Sequence, residues 1–248
     1  MILEFDLGNT RFKWRLRRER EIASRGFLHA SGSFSELESI LEIYGRQIKR
    51  VWVASVVGNT IEQSLSSWSE SYLSVTPEFA RSESICGGVT NGYDEPRQLG
   101  VDRWLSIVAC YQQTKKAFLL ATFGTAITVD IVLENGKHVG GFIAPGFSLM
   151  LDSLQQKTRQ IILDQHSELL ELRPGTSTTE AVYAAVTAML SGLVENSVRQ
   201  LQIIAPSIEF DVVFAGGDAQ RALPFYPQAQ LKSELVLDGL AYALENPK

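Results

Sequence analysis

The feature that most constrains the fold is a pattern that occurs twice: an apolar strand, a turn with glycine and a hydroxyl side chain, and a second strand. The first copy reads ILEFDL, GNT and RFKWRLR from residue 2, and the second reads AFLLA, TFGTA and ITVDIVL from residue 117. Gly124 follows Gly8 by 116 residues. A repeated layout of this kind indicates two related halves, which we place at residues 1–115 and 116–248.

Composition narrows the class of protein. The chain has 248 residues, 45% of them hydrophobic and 21% charged, with a net charge of −5 and a pI near 5.3. These values are typical of a globular protein, and the negative charge disfavours nucleic acid and acidic membranes as partners. Two cysteines without metal-ligand spacing argue against a disulfide scaffold or a zinc site. We find neither a signal peptide nor an apolar run of about 18 residues, and therefore expect a cytoplasmic protein.

Periodicity predicts the remaining elements. In residues 11–17, Phe12, Trp14 and Leu16 share one face, and the arginines on the other face are expected to be solvated. Ser33 and Glu36 form a capping-box pattern that predicts a helix. Further predictions are strands at 51–57 and 208–214, a long loop at 82–98, and helices starting at 59 and covering about 99–114, 146–158, 178–203 and 234–245.

The turns carry the candidate chemistry. Gly8, Asn9 and Thr10 offer close backbone approach and polar donors for a phosphate, and Asp6 could hold a metal-bound water. Lys13, near the turn, could also hold phosphate. For this motif by itself, a plain hairpin turn with Asp6 as a polar residue at the strand end is the slightly better explanation. The second turn at residues 123–126 and a third in the sequence AGGD from residue 215 make a nucleotide site the better explanation of all three.

The order of several motifs resembles type III pantothenate kinases. These motifs are DLGNT at 6–10, NGYDEPRQLGVDRW at 91–104, FGTAITVD at 123–130, GGFIAPG at 140–146 and TTEAV at 178–182. That family belongs to the superfamily of acetate kinase, sugar kinases, heat-shock chaperones and actin. The resemblance covers the whole chain and implies an α/β fold. In this fold, two actin-like (ribonuclease H-like) halves each contain a mixed sheet flanked by helices, and a nucleotide cleft lies between the halves.

The resemblance also implies roles for individual residues. Asp102 matches the catalytic base that accepts the proton of the substrate hydroxyl. The residues implied in ATP and phosphate binding are Asp6, Leu7, Gly8, Asn9, Thr10, Arg11, Phe12, Lys13, Gly124, Thr125, Gly216 and Gly217. The residues implied in pantothenate binding are Tyr93, Gly100, Val101, Asp102, Arg103 and Thr178. Thr178 matches a threonine that reaches the neighbouring subunit's site, which implies a homodimer.

Simpler explanations exist for four of these residues. Asp102 and Arg103 could form an ion pair at a helix start, Tyr93 could pack on the core, and Thr178 could be a helix N-cap. The sequence also departs from the family at Thr122, where the family has an aspartate associated with K⁺ or NH₄⁺. A hydroxyl lacks the carboxylate's charge, so cation binding is in doubt, although Asp130 could still organise metal or phosphate.

The expected activity is transfer of phosphate from ATP, with Mg²⁺, to pantothenate, giving 4′-phosphopantothenate in the first step of coenzyme A biosynthesis. A kinase of another small alcohol is the alternative within the same class. A non-catalytic nucleotide-binding regulator, similar to accessory transcription factors, is the alternative outside it. Asp6, Asp102 and Arg103 favour the enzyme, because a regulator has no chemical need for a base.

Overall fold

The computed structural model describes residues 1–19, 21–163 and 172–245. Contacts divide the chain into two compact units. Unit 1 consists of residues 1–113 and 234–248, and unit 2 consists of residues 114–233. We had placed the single boundary after residue 115 and assigned the C-terminal residues to the second half. The contacts instead group the last helix with unit 1, because its apolar side chains pack there.

Strands and helices alternate in the order expected for α/β units. Within the described residues the strands are β1 (Ile2–Leu7), β2 (Arg11–Arg18), β3 (Glu21–His29), β4 (Arg50–Ser55), β5 (Glu78–Phe79), β6 (Ile85–Cys86), β7 (Val89–Thr90), β8 (Ala117–Phe123), β9 (Ala126–Val132), β10 (His138–Pro145), β11 (Phe210–Ala215) and β12 (Gln230–Leu231). The α-helices there are α1 (Glu38–Leu41), α2 (Asn59–Trp68), α3 (Val101–Thr114), α4 (Phe147–Lys157), α5 (Thr178–Ile204), α6 (Ala219–Ala222) and α7 (Leu235–Leu244).

Each unit contains one mixed sheet, and the two sheets share one topology. In the described part of unit 1 the strand order is β3-β2-β1-β4-β5, with antiparallel pairing on the β3 side of β1 and parallel pairing on the β5 side. In unit 2 the order is β10-β9-β8-β11-β12, with the same directions. The predicted repeat is thus a repeat of whole sheets, and the prediction of mixed sheets flanked by helices is confirmed.

The apolar face of β2 lies in the core of unit 1. Phe12, Trp14 and Leu16 are buried together with Phe5 of β1, as the alternation predicted. The opposite face of this sheet is covered by α3 and α7, whose Leu105, Leu237 and Leu240 pack against Trp52 and Ala54 of β4. Both faces of the sheet are therefore covered around β1 and β4, whereas most of β3 is exposed.

The prediction of a solvated arginine face on β2 was wrong for Arg17, whose side chain is 12% exposed, and for Arg15. The Arg15 side chain is 5% exposed, and its guanidinium lies 2.6 Å from Glu4 of β1 and 2.7 Å from Asp238 of α7. Glu4 is fully buried and also accepts a hydrogen bond from Arg17 at 3.0 Å. Burial raises the pKa of Glu4, and the two arginines oppose that shift. Arg15 thus joins two β-strands to the C-terminal helix in an ion-pair network.

Two other predicted elements differ in extent. The capping box of Ser33 and Glu36 is present, but it opens a 3-10 turn (Phe34–Leu37) followed by the single turn of α1. The long loop at 82–98 contains the β6–β7 hairpin and a 3-10 turn (Pro96–Gln98). The other predicted helices are present, including α2, α3 and α4, with ends within two residues of those expected.

Helix α5 changes one expectation about membranes. Over 18 of its residues the mean hydropathy reaches 1.2, so by length and composition alone it could cross a bilayer. A third of that window is buried in the structure. Val194 and Leu201 pack under the sheet of unit 2 with Phe214, as a core helix of a globular unit does. We therefore interpret α5 as a packed helix that keeps some of its apolar surface exposed.

Candidate active site

The first candidate phosphate turn joins β1 to β2 in unit 1. Leu7 pairs with Phe12, and the Gly8 N–H donates to the Arg11 carbonyl oxygen at 3.3 Å. Asn9 and Thr10, at the tip, are exposed. A Cβ added to Gly8 would lie 3.3 Å from the Arg11 oxygen, so the turn has little room for a side chain there. This geometry is that of a tight hairpin, and it leaves polar groups at an exposed tip.

Asp6, just before this turn, lies in an unusual electrostatic position. Its side chain is 13% exposed and sits opposite Lys13 on β2, with 3.8 Å between Oδ2 and Nζ. Burial raises the pKa of Asp6, the charge of Lys13 lowers it and the charge of Asp102 raises it, and the net value is about 6. The fold therefore brings two predicted functional carboxylates, Asp6 and Asp102, close enough to repel each other.

Asp102 occupies the first turn of α3. Its Oδ1 accepts a hydrogen bond from the Arg103 N–H at 2.8 Å. A Cβ at Gly100 would lie 2.7 Å from the same Oδ1, so only glycine leaves the carboxylate in this place. The Gly100 carbonyl oxygen accepts from the Trp104 N–H at 2.9 Å and begins the helix. The Gly-x-Asp-Arg spacing thus both starts α3 and sets the direction of the carboxylate.

Arg103 and Tyr93 meet, as their assignment to one substrate pocket predicts. Arg103 Nη1 donates to the Tyr93 hydroxyl oxygen at 2.9 Å, and its guanidinium lies 5.7 Å from the centroid of the Tyr93 ring. Arg103 is 7% exposed, whereas Tyr93 is partly exposed. A guanidinium held in this way can bind a carboxylate through paired hydrogen bonds.

Asn91 fixes the loop that carries Tyr93, and our sequence reasoning did not single it out. Its Oδ1 accepts from the Tyr93 N–H at 3.0 Å, and its Nδ2 donates to the carbonyl oxygens of Glu83 at 3.1 Å and Pro96 at 3.2 Å. It is 9% exposed. An asparagine two residues before the residue that it orients is a common turn pattern, which was the available signal.

The second candidate phosphate turn, between β8 and β9, is enclosed by two other glycine turns of unit 2. The Gly124 N–H donates to the Ala126 carbonyl oxygen at 3.1 Å. The Gly146 N–H donates to the Thr125 carbonyl oxygen at 2.9 Å. On the other side, a Cβ at Gly216 would lie 2.7 Å from the carbonyl carbon of Phe123. The structure therefore brings Gly124, Thr125 and Gly216 together, as predicted for a shared role, and adds Gly146.

An apolar pocket opens beside these turns. Its wall includes Gly124, Phe147, Asp218, Arg221 and Tyr226, with aliphatic side chains of α5 behind them. The Arg221 guanidinium lies 4.1 Å from the centroid of the Phe147 ring and 3.6 Å from Asp218 Oδ1. A flat ring of a ligand can stack on such side chains while its phosphates reach the glycine turns.

Thr122 and Asp130 lie on β8 and β9, the two strands that flank the second turn. Thr122 is directly opposite Thr128 in the β8–β9 ladder. Asp130 is 1% exposed, and its Oδ1 lies 3.0 Å from Nε2 of the fully buried His138 on β10. A buried carboxylate in a pair with histidine is poorly placed to ligate a metal, so this arrangement speaks against the suggested metal role of Asp130. In the described residues no group of three or more His, Cys, Asp or Glu side chains could hold a metal ion.

Thr178 is the first residue of α5 and is exposed. The alternative that Thr178 is the N-cap was wrong, because Ser177 has that role: its Oγ accepts from the Glu180 N–H at 3.2 Å. The Glu180 carboxylate in turn accepts hydrogen bonds from the Thr176 N–H at 2.8 Å and the Thr176 hydroxyl at 3.0 Å, and these two bonds lower the pKa of Glu180. The helix start is thus built by the residues around Thr178, and Thr178 itself faces outward.

Comparison with known proteins shows the family of this chain. A family model described as Type III pantothenate kinase matches residues 2–200. A type III pantothenate kinase of Cellvibrio japonicus is 37% identical over 97% of this chain and 95% of its own length. One from Ectopseudomonas mendocina is 38% identical over 98% of both chains. The chain belongs to the type III pantothenate kinase family.

Solved structures show the same fold. A Campylobacter jejuni protein described as a Baf family transcriptional activator matches with a TM-score of 0.62 and 18% identity, over 98% of this chain and 97% of its own. A Sinorhizobium meliloti protein described as a 2-dehydro-3-deoxygalactonokinase matches with a TM-score of 0.55 and 13% identity, over 98% of both chains. At these identities the likeness concerns the fold alone. The predicted actin-like class, shared with sugar kinases, is confirmed.

Proposed function

We propose that this protein transfers a phosphoryl group from ATP to the 4′-hydroxyl of pantothenate, the first step of coenzyme A biosynthesis, in the cytoplasm. The observation that carries the proposal is the proximity of Asp6 and Asp102 in unit 1, because it puts a candidate base beside a candidate phosphate turn. Membership of the family supports the choice of pantothenate over another small alcohol.

The acceptor side of the mechanism uses residues of α3 and the preceding loop. Asp102 accepts the hydroxyl proton or orients the hydroxyl for attack, a role typically worth about 10²–10⁴-fold in rate. Arg103, steadied by Tyr93, binds the pantothenate carboxylate through its guanidinium. Gly100 and Val101 complete this pocket, and Gly100 keeps the Asp102 carboxylate in place.

The donor side uses the glycine turns. Backbone groups from Leu7 to Thr10 hold donor phosphate in unit 1, and Lys13 adds positive charge. In unit 2, Gly124 and Thr125 hold phosphate, and the adenosine binds at the cavity next to Gly216 and Gly217. Arg11 and Phe12, which follow the first turn, complete the segment that the family resemblance assigns to ATP.

Residues for a divalent ion fit in unit 1. Asp6 is a carboxylate whose pKa is raised by burial and by Asp102, so a cation beside it relieves an electrostatic cost. Asp6 would hold Mg²⁺ through water, and bound Mg²⁺ would neutralise charge on the donor phosphates. Because phosphoryl transfer depends mainly on positioning and charge stabilisation, these side chains supply most of what the reaction needs.

The fit for a monovalent cation is weaker. Thr122 faces Thr128 across the ladder, and the carboxylate of Asp130 is engaged by His138. Hydroxyl groups supply only dipoles where the family has a full charge. We propose that K⁺ or NH₄⁺ activates this enzyme weakly or only at high concentration.

We also propose a homodimer in which Thr178 reaches the partner's pantothenate site. Helix α5 supports it, because Met189, Ile203 and Ile204 are each more than 40% exposed, as is Ile143 of β10. A second copy of the chain would bury these side chains at about 25 cal/mol per Å² of apolar surface. Light scattering of the purified protein gives the mass in solution, and a monomer at micromolar concentration would refute this part.

The decisive experiment is a turnover assay with ATP, Mg²⁺ and a panel of small alcohols that includes pantothenate. The phosphorylated product is identified by mass spectrometry in buffers with several monovalent cations. We expect pantothenate to be the preferred substrate. If the folded protein binds ATP but phosphorylates no alcohol above the enzyme-free control, the regulatory alternative replaces the kinase.

A further inference from the structure

Gly146 makes the tightest backbone approach to the second candidate phosphate turn. Its N–H donates to the Thr125 carbonyl oxygen at 2.9 Å. A Cβ at Gly146 would lie 2.5 Å from that same oxygen and 2.9 Å from the Thr125 carbonyl carbon, and it would overlap the Gly124 carbonyl oxygen. A side chain and this turn therefore cannot occupy their present places together.

The reason for glycine here is space, and backbone conformation plays no part. Gly146 has φ −70° and ψ 169°, values that any residue adopts. By contrast, Gly216 on the other side of the turn has φ +92°, which favours glycine in its own right. Replacing Gly146 by alanine therefore tests the close approach alone, with no cost from an unfavourable φ.

The turn is held at both ends by this arrangement. The Asp218 N–H donates to the Phe123 carbonyl oxygen at 3.2 Å, and the Gly146 N–H holds the Thr125 carbonyl oxygen. The Gly124 N–H bonds to Ala126 within the turn. Because hydrogen bonds hold the carbonyl groups on both sides of Gly124, the peptide planes of the turn keep one orientation. That orientation determines where the N–H groups of the turn and the Thr125 hydroxyl can contact a phosphate.

We propose that Gly146 is a positioning residue for the donor phosphates: it holds the Gly124–Thr125 turn in its binding conformation through one N–H and the absence of a side chain. The proposal rests on the proposed kinase function, because that function makes the turn a phosphate site. In Gly146→Ala, the Thr125 carbonyl oxygen must move by about 0.9 Å to reach an ordinary contact distance, and the Gly124 carbonyl oxygen must move farther. A misplacement of this order, up to about 1 Å, typically costs up to about 10²-fold in rate.

The test compares Gly146→Ala with Gly45→Ala, a control whose added Cβ meets no atom within 4 Å. We expect Gly146→Ala to raise KM for ATP and to lower kcat, so that kcat/KM for ATP falls by about 10–100-fold. KM for pantothenate should stay unchanged. A merely structural role would lower the active fraction and leave both KM values as they are. The control should match the wild type in all three constants.

Calorimetry keeps the inference separate from the kinase assignment. Gly146→Ala should weaken binding of Mg-ATP and ADP about 10-fold or more and leave adenosine binding unchanged, since adenosine has no phosphate. Equal weakening of all three ligands, normal binding of ATP, or a variant that does not fold would each overturn the proposal. A wild type that binds ATP but does not phosphorylate pantothenate would count against the proposed function only.

Discussion

Replacing Asp6 by asparagine should stabilise the ligand-free protein at neutral and higher pH. Asp6 is 13% exposed, and its pKa is raised by burial, lowered by Lys13 and raised by Asp102 to a net value of about 6. The unfolded chain has the ordinary value of 3.8. At about 1.36 kcal/mol per pKa unit, the difference corresponds to about 3 kcal/mol of free energy of unfolding.

The sign follows from proton binding. Between the two pKa values the folded state holds more protons at Asp6 than the unfolded state, so stability falls as the pH rises from about 4 to about 6. Above about pH 6 the ionised Asp6 carboxylate lowers the free energy of unfolding by the full amount. Asparagine has no charge to lose, so Asp6→Asn and the wild type should converge near pH 4 and separate by up to about 3 kcal/mol at pH 8.

Thermal unfolding at pH 4, 6 and 8 measures this difference. For a chain of this length, about 3 kcal/mol corresponds to a rise of roughly 6–12 °C in Tm at pH 8. Asp152→Asn, at an exposed position on α4, is the matched control and should leave Tm unchanged at each pH. Mg-ATP should raise the Tm of the wild type more than that of Asp6→Asn, which loses the carboxylate that the metal ion would use.

Two outcomes would refute this reasoning. If Asp6→Asn melts at or below the wild type at pH 8, the attraction to Lys13 outweighs burial and repulsion, and the carboxylate is stabilising. If the variant is more stable by the same amount at every pH, the gain does not come from the charge. Higher stability together with a smaller stabilisation by Mg-ATP is the trade expected of a functional carboxylate.

Four further predictions follow from the same contacts. Asp102→Asn should keep ATP binding and lose about 10²–10⁴-fold in kcat, and near-normal turnover would make Asp102 a structural residue. Mixing inactive Asp102→Asn with Thr178→Trp should restore activity by subunit exchange, and confirmed exchange without activity would refute the shared site. Thr122→Asp should strengthen activation by K⁺ at constant ionic strength, because the attraction between the new carboxylate and K⁺ near 4 Å is about 4 kcal/mol before desolvation. Strong activation of the wild type at low K⁺ would contradict this prediction. Arg15→Met should cost about 3–5 kcal/mol in denaturant unfolding, because the buried Glu4 then keeps only Arg17 as an ion-pair partner, whereas a loss below about 1 kcal/mol would show a dispensable ion pair.

The sequence by itself determined the elements and the two hairpin turns. Alternation of apolar and polar side chains over residues 11–17 is a local property, so it predicted the strand and its buried face. The offset between Gly8 and Gly124 predicted two units, because both turns lie between equivalent strands. The resemblance then named Asp102, Arg103 and Tyr93, and the last two do lie in hydrogen-bond contact.

Only the tertiary structure decided which polar side chains are buried. The alternation in β2 shows that the strand has an apolar and a charged face, but it does not show what packs on the charged face. Helix α7, more than 200 residues later in the chain, packs there. Arg15 is therefore an interior ion-pair residue instead of a solvated one. Likewise, His138 pairs with the buried Asp130 through a contact across β9 and β10 that no local pattern indicates.

The same limit applies to the glycines. A sequence shows that Gly146 follows a strand, but it does not show that the Gly124–Thr125 turn lies against it. Close backbone approach arises when strands distant in sequence end at one edge of a sheet, so it depends on strand order and register. Periodicity fixes secondary structure within a few residues, whereas burial, ion pairing and steric fit are set by segments that meet only after folding.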